Sequence, residues 1–350
     1  MIFIIKIIIL DDIVLIVDMK KALLWSIEGE KIRCNLCARL CLIPNGIKGF
    51  CQTRKNIDDV LYATMYGEIS MSGVDPIEKK PFFHFHPGSK SFSISTVGCT
   101  FRCKFCQNYD ISQKQFKMNK QKPIDIVKKA NELKCESISY TYNEPTVFFE
   151  YALDTAKEAS KIGILNTFVT NGYLTSEAID VASKYIQAMT IGVKGSLNKK
   201  FYEKIMSVPD PDSVKQTILE LKRKKIHIEI TDLLVSKFGD DLNDVKKFTK
   251  WIYNNIGPDI PLHFTKFHPD WKLNDIPSTS VNVIENAYSI AKEEGLNYVY
   301  AGNIPGHPLE NTYCPKCNEV LIKRDSFNIK ILNINRKLCN KCGTKISYIC

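Results

Sequence analysis

No stretch of this 350-residue chain is apolar for long enough to cross a bilayer as a helix. The strongest run, residues 1–17, is nearly all Ile, Leu, Val and Phe, yet Lys6, Asp11 and Asp12 break it. It also lacks a basic start and a small-residue cleavage site, so it does not read as a secretory signal. No heptad pattern marks a coiled coil. Acidic residues are in the minority, 38 against 48 Lys and Arg, giving a net charge of +10. The lysines are spread over expected helix faces, which reads as a solvated basic surface. A basic cleft for an anionic ligand and a nucleic-acid surface are the other readings of that charge. Cysteine, by contrast, is plentiful at thirteen residues. Eleven fall into three groups, Cys34/Cys37/Cys41/Cys51, Cys99/Cys103/Cys106 and Cys314/Cys317/Cys339/Cys342, with Cys135 and Cys350 left over. C-x2-C pairs without a secretory signal point to metal rather than disulfides, and so to a reducing cytoplasm.

The middle group organises the chain. An alternating run over 91–97 reads as a strand and leads into Gly98-Cys99-Thr100-Phe101-Arg102-Cys103-Lys104-Phe105-Cys106. Three thiolates on one short loop can hold three irons of a 4Fe–4S cube, which leaves the fourth iron open to a substrate or cofactor. Zinc competes, because soft thiolates suit both. A structural zinc site, however, wants a fourth ligand nearby, and the next thiol is Cys135.

This C-x3-C-x2-C string, with the aromatic Phe105 before the last cysteine, resembles the signature of the radical S-adenosylmethionine (SAM) superfamily. The longer string from Val97 to Asn108 resembles the AmmeMemoRadiSam-system enzymes, relatives of the pyruvate formate-lyase activating enzymes. The likeness runs from about Met19 to the C-terminus. It implies a 4Fe–4S cluster that binds SAM and, when reduced, cleaves it to a 5′-deoxyadenosyl radical. It also implies an electron donor such as ferredoxin or flavodoxin, and a substrate that the sequence does not name, a partner protein included.

The rest of the chain fits around this loop. Residues 1–18 read as a mis-called upstream extension ahead of a more natural start at Met19-Lys20-Lys21, with an added edge strand as the alternative. Residues 19–88 form a Cys-rich module, in which Cys34, Cys37, Cys41 and Cys51 suit a metal, either structural zinc or a second cluster. Within it, 61–86 reads as a hairpin and connection, with His84 and His86 on one face of an extended piece. From 89 to 308, strands at 91–97, 137–142, 165–170, 188–193, 227–234, 261–267 and 297–301 alternate with helices at 124–133, 147–162, 176–185, 213–224, 244–256 and 281–294. That alternation predicts an α/β fold, a partial or complete (β/α) barrel, with its ligands at the C-terminal strand ends. Residues 309–350 carry two C-x2-C knuckles about twenty residues apart, a zinc-ribbon pattern with ligands Cys314, Cys317, Cys339 and Cys342.

The resemblance assigns cofactor contacts to strand ends. Glu144, in Tyr142-Asn143-Glu144-Pro145, stands where the superfamily has Gly-Gly-Glu-Pro and suits the SAM ammonium; a capping turn is the plain alternative. Asn171, in Thr170-Asn171-Gly172-Tyr173, suits the SAM carboxylate or ribose, or is an ordinary turn. Lys194 keeps the basic position of an Asp-x-Lys motif whose Asp is here Gly192. The fifth strand can present Glu229 or Thr231 to a barrel interior, where a salt-bridged Glu is the commoner case. His268 ends the sixth strand and is the candidate ligand-facing group there, with Asn303 and His307 near the mouth. Three other functions compete: an activase for a glycyl-radical enzyme, a metal-knuckle nucleic-acid binder and an electron-transfer iron–sulfur protein. The α/β pattern and the three-Cys loop argue against nucleic acid.

Overall fold

The computed structural model describes residues 19–116 and 118–347. The extension expected at residues 1–18 lies outside them, as does Cys350.

One eight-stranded sheet dominates. Seven strands run parallel in chain order: Lys90–Ser95, Ser137–Tyr140, Leu165–Thr170, Ala188–Lys194, His227–Leu234, Leu262–Lys266 and Val299–Gly302. Helices between them cover the outer face, as parallel strands require. Both faces of the sheet are therefore hidden, and Ala188–Val193 is buried at every position. The eighth strand, Met71–Pro76, pairs antiparallel with Lys90–Ser95 at one edge. Within the stretch 61–86 expected to be a hairpin and connection, Met71–Pro76 is thus a barrel strand. Sheet order runs from Met71–Pro76 at one edge to Val299–Gly302 at the other, which makes this a partial barrel.

Helix starts follow side-chain chemistry. Thr175, Asn198, Asp241 and Ser280 each accept a bond from a backbone N–H of the first turn. Pro123 opens the helix Pro123–Glu132, where its missing N–H costs nothing. The helix Lys199–Met206 was not anticipated; it follows a short 3-10 turn that interrupts the pattern.

The two ends of the barrel differ. At the N-terminal strand ends, the loop 81–89 forms a floor. Glu229, fully buried, accepts the backbone N–H groups of Phe83, His84 and Phe85 at 2.9, 2.8 and 3.3 Å. It also meets His263 at 2.8 Å and His227 at 3.1 Å. Glu229 is thus hydrogen-bonded from both oxygens within the floor. His84 and His86 do not share a face: His84 is buried against the Tyr300 hydroxyl at 2.5 Å, whereas His86 turns out with a positive φ to meet Glu136 at 3.1 Å. Both stand at the floor, away from the cysteine loop. Above the floor, Ser91, Ser139 and Thr167 form a buried chain of hydroxyls at 2.6 and 2.7 Å.

The tail docks on this floor. Strands Val320–Asp325 and Asn328–Ile331 pair as a hairpin. The buried Arg324 donates to Phe83 O at 2.7 Å and Thr312 Oγ1 at 2.8 Å. The N-terminal module sits at the other end. It packs on the turn after the third parallel strand, where Ala38 N donates to Tyr173 O at 3.0 Å and Thr175 Oγ1 donates to Asn35 O at 2.7 Å. Its Arg54 forms a buried ion pair with Glu150 of the helix Phe149–Ser160.

Burial holds His84 neutral, with a pKa pushed down to about 3. The unfolded chain, with imidazoles near 6.5, binds more protons below that pH, so stability falls as pH drops from about 6.5 toward about 3. We expect His84→Gln to flatten the loss by up to about 1.4 kcal/mol per pH unit, read from urea unfolding at pH 7, 6 and 5. Equal slopes in the two proteins would show that His84 is not the titrating group.

Candidate active site

The cysteine loop leaves the C-terminal end of the first parallel strand through Gly98. This residue has φ +92, and a Cβ there would stand 2.6 Å from Cys51 O and 2.8 Å from Thr53 Cγ2. Only glycine combines that backbone with that approach. Beyond it, side-chain amides from neighbouring strand ends hold the loop. Asn143 Nδ2 donates to Thr96 O at 3.0 Å and Gly98 O at 2.9 Å. Asn171 Nδ2 donates to Thr100 Oγ1 at 2.8 Å, and Asn108 Nδ2 to Tyr142 O at 2.7 Å. Arg102 N and Lys104 N donate to Met206 O and Ile205 O, both at 3.0 Å, so the unanticipated helix braces the loop from below. Phe105 is buried and stacks on Phe201 at 5.9 Å, which explains an aromatic before the last cysteine.

Cys99, Cys103 and Cys106 lie within electrostatic reach of one another. As free thiols they are pushed up, Cys99 to about 12, first by burial and then by the Glu144 carboxylate. They need a metal to lose their protons at neutral pH. Cys106 Sγ also meets Ser112 Oγ at 3.2 Å. Cys135, the next thiol in sequence, precedes the second parallel strand and so sits toward the floor. The loop therefore offers three thiolates and no fourth, which fits a cube with one open corner.

Lys194, at the end of the fourth parallel strand, brings an ammonium near Cys103, Cys106, Asp232 and Glu144; burial pushes its pKa down, and these neighbours push it back up. Its Nζ donates to Gly192 O at 2.6 Å. A Cβ at Gly192 would lie 2.6 Å from that Nζ, so the glycine in place of the motif's Asp is what lets Lys194 fold back. The carboxylate nearby comes instead from Asp232, one strand over and in register with Val193. Asp232 is buried, accepts Ser196 N at 3.0 Å and Ser196 Oγ at 2.7 Å, and is pushed up to about 6 by burial.

Glu144 is 3% exposed. Its Oε1 accepts Thr146 N at 3.3 Å, Thr146 Oγ1 at 3.1 Å and Thr170 Oγ1 at 2.8 Å, while Oε2 accepts Asn171 N at 2.8 Å. The capping role is thus present, and Oε2 keeps a lone pair beyond it. Asn143 Oδ1 is buried with no hydrogen-bond partner among the described residues. His268 stands apart at the rim, its side chain 57% exposed and paired with Asp270 at 2.9 Å. Asn303 and His307 are loop anchors, to Lys266 O at 2.9 Å and Glu285 at 3.2 Å. The roles of Asn143, Asn108, Ser196 and Asp232 were not read from the sequence. Asn143 and Asn108 lie inside the motifs that carry the resemblance, but nothing local distinguishes Ser196 and Asp232.

At the floor end, Cys314, Cys317, Cys339 and Cys342 bring four sulfurs within 4.8 Å of one another, a group able to hold a metal ion. No helix among the described residues is long and apolar enough to cross a membrane.

The sequence pattern of the radical SAM superfamily matches residues 93–252. Uncharacterized protein MJ0808 of Methanocaldococcus jannaschii is 41% identical over 337 residues, covering 95% of this chain and all of that one. Among solved structures, Streptococcus suis SuiB bound to S-adenosylmethionine aligns at TM-score 0.49 and 14% identity over 59% of this chain and 49% of that one, so this chain spans about half its length. A domain of the pyruvate-formate lyase-activating enzyme of Bacteroides vulgatus aligns at TM-score 0.41 and 17% identity over 47% of this chain and 98% of that one. The loop that presents Cys99, Cys103 and Cys106 at the mouth of a partial barrel lies inside the matched segment, and the chain belongs to the radical SAM superfamily.

Proposed function

We propose that Cys99, Cys103 and Cys106 ligate three irons of a 4Fe–4S cluster whose fourth iron takes the methionine end of SAM. Bound and reduced, that pair supplies a 5′-deoxyadenosyl radical, with release of methionine, for hydrogen abstraction from a substrate. The observation that carries this reading is the convergence of three thiols, the Lys194 ammonium and the Glu144 carboxylate at one barrel mouth.

The chain's own groups divide the work. Glu144 Oε2 would accept from the SAM ammonium with its remaining lone pair, and the four bonds it already makes fix its orientation. Asn143 Oδ1 offers a second acceptor. Lys194, which here donates to Gly192 O, would supply the cation for the SAM carboxylate, and Asp232 counters part of the downward push that burial gives its amine. Asn171 holds Thr100, and with it the loop, in place. His268, paired with Asp270 at the rim, would meet at most the outer end of the cofactor. Electrons come from a donor of the ferredoxin or flavodoxin kind, and zinc in the Cys314/Cys317/Cys339/Cys342 site fastens the tail.

Anaerobic, reduced protein given SAM should release 5′-deoxyadenosine slowly, measured by mass spectrometry, and Cys103→Ala should release none. An intact, reduced cluster that yields no product would overturn the reading. Glu144→Gln keeps the shape but loses a charge-assisted bond of about 1.5–3 kcal/mol, so product formation should fall roughly 10- to 100-fold. Iron content should stay unchanged in that variant. A Gln variant as active as wild type would leave Glu144 as a cap only.

A further inference from the structure

The three thiol groups differ in how tightly they close. At the tail, Cys314 and Cys342 stand 3.6 Å apart, and Cys317 and Cys339 stand 3.7 Å apart. Four thiolates at about 2.3 Å from one tetrahedral ion stand roughly 3.8 Å from one another, so this quartet is shaped for a single ion. Among the described residues, it is the one group of ligands drawn together in that way.

The N-terminal quartet is built differently. Cys34, Cys37, Cys41 and Cys51 line one pocket, together with Leu36, Ile43 and Arg54. Their sulfurs feel one another electrostatically, yet they surround a space instead of closing on a point. Cys99, Cys103 and Cys106 share this property: they are in mutual reach but more open than the tail quartet. A cube carries its irons at its corners, so its thiolates stand wider than those around one ion. Arg54 Nη1 donates to Cys34 Sγ at 3.6 Å, and Thr53 Oγ1 donates to Cys51 Sγ at 3.3 Å, the kind of bonds to sulfur that tune a cluster. Those bonds alone would suit zinc as well; the open spacing is what separates the two.

We propose that Cys34, Cys37, Cys41 and Cys51 hold a second 4Fe–4S cluster, ligated at all four irons. It lies beside the first: Thr100, the neighbour of Cys99, lines the same pocket, and Cys51 O packs where a side chain on Gly98 would be. With no open corner, it does not bind SAM. The inference is independent of the SAM chemistry at the barrel mouth, because the first site can be removed in its test.

The test uses the full chain, produced anaerobically, with iron, sulfide and zinc counted per chain. The triple variant Cys99→Ala, Cys103→Ala, Cys106→Ala should keep about four iron and four sulfide, with about one zinc, and its reduced EPR signal should ignore SAM. Wild type should carry about eight iron, and Cys34→Ala with Cys41→Ala should lower that by about four. A triple variant with no sulfide and about two zinc would overturn the proposal. Should the variants fail to fold, wild type decides alone: about four iron with two zinc would also overturn it.

Discussion

The cysteine loop stays in one conformation because side-chain amides hold its carbonyls and hydroxyls at the ends of the strands beside it. Asn143 takes two of the carbonyls, at Thr96 and Gly98, and Asn171 takes the Thr100 hydroxyl. A buried carbonyl left unpaired costs about 1–3 kcal/mol, so the loop has little freedom to move away from these donors. Three thiolates can share one cluster only if their backbone is fixed, and much of the mouth exists to fix it. Glu144 takes part from beneath: by accepting Asn171 N, it ties the second strand end to the third.

The barrel separates this chemistry from its scaffolding. Its mouth gathers the open thiol sites, a buried lysine and two buried carboxylates. Its floor is closed by loop 81–89 wrapped over Glu229, and the tail locks onto that floor through Arg324. The compact four-sulfur site therefore lies at the structural end, and the wider sites at the reactive end. Charged groups in a barrel interior are costly unless paired, and Glu229 is paired on every side.

Most of the architecture was legible from periodicity, because a parallel strand is an apolar run and its crossover helix an amphipathic one. The cysteine groups were legible because ligand spacing is local. Met71–Pro76 was harder, since an edge strand with Ser72 and Gly73 in it shows little alternation. Asp232 was invisible for another reason. The pattern pointed to Gly192 as a missing acid, and the nearby carboxylate came from the next strand, a fact of register rather than of sequence. His84 and His86 looked like neighbours on one face until a positive φ at His86 turned them apart.

The most direct measurement is the EPR spectrum of the reduced protein before and after SAM is added. If the cluster on Cys99, Cys103 and Cys106 has an open iron that takes SAM, its signal should change in shape and position on addition. A reduced signal from that site which stays the same at saturating SAM would contradict the central claim and leave an electron-transfer cluster in its place.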